Sequence, residues 1–103
     1  MHFTKLIIAV LLPLLAAADE HHGCRCNTGD EICLSRACNG YTEAGVFFKK
    51  PRGHEDTVFS QVKEGYCYAV YNNGQGFFTF HGLGGREWRA QCEEHCGGGS
   101  TCL

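Results

Sequence analysis

The chain has 103 residues, eight of them cysteine, with nine Lys or Arg against eleven Asp or Glu and a net charge of −2 at pH 7. A chain of this size can bury only a limited core and has room for one small domain. Mild acidity argues against a nucleic-acid binder, which ordinarily presents a basic face.

Residues 1–18 (MHFTKLIIAVLLPLLAAA) read as a secretory signal peptide. Lys5 marks a positive start, Leu6 to Leu15 form an apolar run broken only by Pro13, and Ala16-Ala17-Ala18 are small residues suited to cleavage. The run is too short to span a bilayer and no later segment is longer, so no membrane span is expected. Cleavage after Ala18 leaves one domain, residues 19–103, which carries −3 once Lys5 is lost. Its destination is the extracellular space. No Asn-x-Ser/Thr sequon occurs, so N-glycosylation is not expected.

Asp19 to Gly23 is a short polar arm, and Cys24-Arg25-Cys26 then alternates as an extended segment would. Thr28-Gly29-Asp30-Glu31 has the Thr-x-x-Glu capping pattern, and Asn39-Gly40 reads as a stop, which predicts a first helix over 29–38. Val46-Phe47-Phe48 is a brief apolar run with strand character. Lys49 to Asp56 (KKPRGHED) is a charged loop, in which Glu55 and Asp56 offset Lys49, Lys50 and Arg52. Thr57 to Val62 is moderately strand-like. Tyr66 to Tyr71 and Gly76 to Phe80 are the strongest strands, and Asn72-Asn73-Gly74-Gln75 between them predicts a hairpin. Gly82 to Gly85 reads as a flexible hinge. Arg86 to Cys96 forms a second helix with Trp88, Cys92 and Cys96 on one face and Gly97 as C-cap, and Thr101-Cys102-Leu103 extends along a sheet edge. The order predicts an α+β fold: a small disulfide-rich two-layer sandwich, with an antiparallel sheet and two helices on one face.

Export places Cys24, Cys26, Cys33, Cys38, Cys67, Cys92, Cys96 and Cys102 in an oxidising compartment, where an even number implies four disulfides. The Cys-x2-Cys pairs of a zinc site are lacking. The pairing stays open, although two cysteines of one short helix rarely reach bridging geometry, so each helix is expected to be stapled to a strand.

The Cys-x-Cys opening, Cys-x4-Cys in the first helix, Cys-x3-Cys in the second and a cysteine one residue from the end resemble the small secreted cysteine-rich proteins of filamentous fungi, many of them candidate plant-infection effectors. The order of elements also resembles the killer-toxin-like α/β sandwich of several such effectors. The resemblance implies an apoplastic virulence protein without enzymatic activity or cofactor, whose partner is a host or competitor protein or cell-surface component. It transfers no functional residue.

Few groups suggest chemistry. A chain beginning Asp19-Glu20-His21 could hold copper(II) through its amine, two amides and an imidazole in square-planar fashion; a plain polar arm is the stronger account. A ribonuclease-like acid/base site would have to draw on His54, Glu55, His81 and Arg86, whereas a surface loop and a strand end explain these residues more simply. No Gly-x-Ser-x-Gly occurs, and no thiol is left as nucleophile if all eight pair. A killer-type toxin acting on membranes or channels is the other binding-class reading, and −3 argues against it. The aromatics are more numerous than one side of a small sheet can hide: with helices on one face only, some of Phe47, Phe48, Phe59, Tyr66, Tyr68, Tyr71, Phe77, Phe78, Phe80 and Trp88 face solvent. The alternative is that the tail or the 49–56 loop covers them. The leading expectation is a secreted, non-enzymatic binding protein.

Overall fold

The computed structural model describes residues 20–103, so the leader and Asp19 lie outside the described residues. In chain order the elements are β1 (Glu20–His21), β2 (Gly23–Cys26), α1 (Glu31–Ala44), a 3-10 turn (Glu55–Thr57), β3 (Val58–Lys63), β4 (Tyr66–Asn72), β5 (Phe77–Thr79), β6 (Leu83–Gly84), α2 (Gly85–Cys96) and β7 (Ser100–Cys102). The main sheet is antiparallel in the order β3-β4-β2-β7, with β5 continuing beside β4 beyond the end of β2; β1 and β6 form a separate two-stranded ribbon. This is the expected disulfide-rich α+β sandwich.

The sheet register follows from the turns. Glu64 and Gly65 both take positive φ, 54° and 84°, and close a two-residue β3–β4 turn that sets Lys63 opposite Tyr66. The expected hairpin lies between β4 and β5, pairing Asn72 with Phe77. There Asn73 Oδ1 accepts from the backbone N–H of Gln75 and Gly76, at 2.8 and 3.1 Å. The terminal strand β7 pairs with β2, Cys24 facing Cys102.

Both helices cover the same face of the main sheet. Ser60 Oγ of β3 donates to the Cys38 carbonyl of α1, and the Ser60 N–H donates to Thr42 Oγ1 at 2.7 Å. Trp88 of α2 is fully buried and its indole N–H donates to the Arg25 carbonyl of β2 at 3.2 Å. The bridges follow the same geometry: Cys24–Cys102 ties β2 to β7, Cys26–Cys92 ties β2 to α2, Cys38–Cys67 ties α1 to β4, and Cys33–Cys96 ties the two helices together. Two of the four helical cysteines thus reach a strand as expected, and the other two reach each other. The seven largest fully buried side chains are Trp88, Tyr41, Leu83 and four half-cystines, Cys24, Cys38, Cys67 and Cys92, so sulfur fills much of the centre.

Four expectations are corrected. The first helix ignores Asn39-Gly40 and runs to Ala44, where Gly45 at φ 67° is the cap. Gly40 instead admits α2: a Cβ there would lie 2.2 Å from Gln91 Oε1 and 3.1 Å from His95 Nε2. The N-cap is Asp30, accepting from the Cys33 N–H at 3.0 Å, while Thr28 donates to the Cys96 carbonyl. Val46 to Phe48 is not a strand; Phe47 packs edge-on against Tyr41, with ring centroids 5.0 Å apart. The glycine hinge is ordered as β6 and the start of α2, because Leu83 fills the core and Tyr41 captures the flanking backbone.

That capture has a stability consequence. The Tyr41 hydroxyl accepts from the Gly84 N–H at 2.9 Å and faces the carbonyls of Val46 and Gly82, at 3.0 and 3.3 Å. Burial pushes its pKa up to about 12, against partial relief from the Gly84 hydrogen bond. The folded state therefore holds this proton more tightly than the unfolded chain. The stabilisation is complete below pH 10 and is lost as pH rises toward 12, by up to about 3 kcal/mol. Short urea-unfolding measurements across that window should show the loss. Tyr41→Phe should be about 1–3 kcal/mol less stable at neutral pH, because the buried Gly84 N–H loses its acceptor, and should lack this component of the alkaline slope.

Candidate binding surface

Alternation along the strands separates two faces. On β4, Cys67 and Ala69 point toward the helices and are fully buried, while Tyr66, Tyr68 and Val70 point away. Register carries the outer set across the sheet: Lys63 lies opposite Tyr66, Gln61 opposite Tyr68, and Phe59 and Thr79 on either side of Val70. β2 contributes Gly23, opposite Tyr68, and Arg25, which stands over the Tyr66 ring at 5.9 Å. Neither helix lies over this face.

The rings on this face form two pairs. Tyr66 and Tyr68 are neighbours with centroids 6.3 Å apart, and Phe59 meets Phe77 edge-on at 5.9 Å. Tyr68 extends over Gly23, where a Cβ would lie 2.6 Å from the ring, so a side chain there would lift the tyrosine. His22 stacks on Tyr68 from the side and meets His81 edge-on at 5.1 Å. A groove of about 120 Å³ runs beside these rings, lined by Gln61, Lys63, Tyr68, Val70, Phe77 and Thr79 among others. Phe77 is 63% exposed, which is unusual for so large an apolar ring in a molecule with so little core. Neither alternative cover reaches Phe77: His54 of the charged loop stacks on Tyr71, whose strand position points to the helix side, and the tail packs Leu103 beside Gly23, at the Tyr68 end of this face. The Leu103 N–H donates to the Gly23 carbonyl at 2.8 Å.

The other singled-out residues occupy separate neighbourhoods. His81 adjoins His22, His54 adjoins Tyr71, and Arg86 lines a different cleft with His21, Asn27, Arg89 and Ser100. The Glu55 carboxyl is held below its ordinary value, chiefly by its own backbone N–H and that of Gly53. This is the opposite direction from that of a general base tuned toward neutral pH. The cleft holding Arg86 measures about 650 Å³, and Arg89 pairs with Glu93 at 3.6 Å. Of the copper-type trio, Glu20 pairs with Gly84 in β1–β6 and its carboxylate meets Lys49 at 3.2 Å. His21 Nδ1 lies 3.0 Å from the Leu103 carbonyl. A square-planar ion would have to displace the His21 contact and the backbone pairing of this ribbon, while Asp19 lies outside the described residues. Among the described residues, no group of three or more His, Cys, Asp or Glu could hold a metal ion, and no helix is long and apolar enough to cross a membrane.

His22 and Arg25 were not expected in the site. Arg25 was legible as the odd position of Cys-x-Cys, whose side chain must leave the face taken by the two sulfurs. The His22–Tyr68 contact depends on strand pairing and had no local signal.

The exposed ring should be dispensable for folding. Phe77→Ser is expected to change the urea midpoint by an amount equivalent to at most about 1 kcal/mol, whereas Trp88→Ala, at the buried centre, should cost about 3–5 kcal/mol.

No protein-family model matches the chain, and comparison with curated proteins and with solved structures finds no match. The disulfide-rich α+β sandwich is therefore established by its own geometry.

Proposed function

We propose that this is a secreted, non-enzymatic protein of the effector or virulence type, which acts by binding a host or competitor target outside the cell through the outer face of its sheet. The observation that carries the reading is the outer aromatic row of half-buried Phe59, Tyr66 and Tyr68 and exposed Phe77 on an otherwise stapled molecule. A sheet face rich in aromatic rings and left without a covering helix, when both helices are spent on the opposite side, is a common mark of a contact surface. Disulfide density supports an extracellular setting, since four bridges in so small a domain are typical of oxidising compartments. The resemblance to fungal cysteine-rich effectors fits both points, and so does the leader-like segment at residues 1–18.

Two measurements test this reading. Protein recovered from the medium of an expressing culture should begin at Asp19 and, by intact mass without reductant, be eight hydrogens lighter than the reduced chain, with no alkylation. Retention of the leader or uptake of alkylating agent would remove the secretion premise. Labelled protein should adhere to intact plant or microbial cells, and a Tyr68→Ala/Phe77→Ala variant of unchanged circular dichroism should lose most of that adhesion. Equal adhesion by the variant would move the site elsewhere, and hydrolysis of an added polymer would argue for an enzyme.

A further inference from the structure

The charges on the outer face differ from those of the molecule as a whole. The chain is acidic, yet none of the outward strand positions (Gly23, Arg25, Phe59, Gln61, Lys63, Tyr66, Tyr68, Val70, Asn72, Phe77, Thr79 and Thr101) is a carboxylate. Two are permanent cations, and they flank one ring: Arg25 and Lys63 stand on opposite sides of Tyr66. Both are exposed, and neither makes an ion pair among the described residues. The carboxylates of Glu31, Glu43, Glu87, Glu93 and Glu94 belong to the helices, and Glu64 sits in the β3–β4 turn next to Lys63.

From this juxtaposition we propose that the outer face binds an anionic polysaccharide, a chain of pyranose rings bearing carboxylates, whose rings stack on Tyr66 and Tyr68 and whose carboxylates meet Arg25 and Lys63. This rests on the preceding reading that the face is the binding surface, and adds its ligand. Aromatic faces carry negative quadrupolar charge and attract the weakly positive C–H bonds of a sugar's apolar side. A planar guanidinium forks onto a carboxylate, and an ammonium meets it as a point charge. Exposed Gln61 and Thr79, lining the groove, supply the neutral donors and acceptors that sugar hydroxyls require, and His22, stacked on Tyr68, and His81 beside it add ring nitrogens at one end. A protein partner would ordinarily need a larger apolar centre than this interrupted row of rings and cations. A single-stranded nucleic acid could use the same stacking, but it carries a phosphate on every residue and needs a broader basic field than two fixed cations.

Calorimetry and gel retardation of the intact secreted protein against oligogalacturonate and alginate, with dextran as neutral control and a uracil oligoribonucleotide of matched length, test the proposal. Both acidic glycans should bind and dextran should not, with affinity falling at least about fivefold between 50 mM and 500 mM salt. Arg25→Gln/Lys63→Gln should weaken binding by roughly tenfold, corresponding to modest worth for two exposed charges. Tyr66→Ala should cost roughly tenfold or more, with Lys63→Gln alone, at an exposed position remote from the core, giving a smaller loss that cannot be blamed on misfolding. Equal binding of dextran, or tighter binding of the oligoribonucleotide, would overturn the proposal. So would failure to bind either acidic glycan. If face-dependent adhesion to cells persists in that case, the binding surface stands and only its ligand is wrong; if adhesion is lost from wild type as well, both readings fall.

Discussion

Everything in this molecule depends on the β2 segment, Gly23–Cys26, and on what its two cysteines hold. Cys24 is bridged to the last strand and Cys26 to the second helix, while the intervening Arg25 gives its carbonyl to Trp88 and its side chain to the opposite face. Four residues thus anchor the sheet edge, a helix and the core tryptophan. The chain-entropy contribution of each bridge is about 2–4 kcal/mol, comparable with the burial of a large apolar side chain. In a domain where four of the eleven clustered core residues are half-cystines, that contribution takes over part of the work of aliphatic packing.

Covalent fastening also explains why one face is bare. The first helix is held by Cys38–Cys67 and by the Ser60–Thr42–Cys38 hydrogen bonds, the second by Cys26–Cys92, and Cys33–Cys96 closes the pair. A layer fixed in this way on one side needs no counterweight on the other. Rings that a larger domain would cover can remain in solvent without loss of the fold. The same contacts protect the sheet: the Ser60 N–H, on the free side of β3, is taken by Thr42, which blunts an edge that could otherwise pair with another chain.

Much of this was legible in the order of residues. The cysteine count, the Asn-Gly turn, the two helices and the sided sheet all follow from local chemistry and period. Two of the four misreadings came from glycines, because a glycine signals freedom or closeness and the chain alone does not say which. At Asn39-Gly40 it signalled closeness to the second helix; at Gly84, β-pairing and a tyrosine hydroxyl. The bridge between the helices was missed because it depends on how nearly two helices approach. The outer aromatics could be counted in advance, but the joining of Arg25, Tyr66 and Lys63 into one row required the register of three strands.

The loop from Lys49 to Asp56 carries an exposed Lys-Lys-Pro-Arg stretch of the kind that trypsin-like proteases cut. It lies between Cys38 and Cys67, so hydrolysis there would yield two polypeptides that remain joined through that cystine. The remaining cystines run between the segment before residue 38 and the segment after residue 67, adding three further ties. A severed backbone would leave the sheet and its outer rings in place, and the nicked protein would persist as two covalently joined halves.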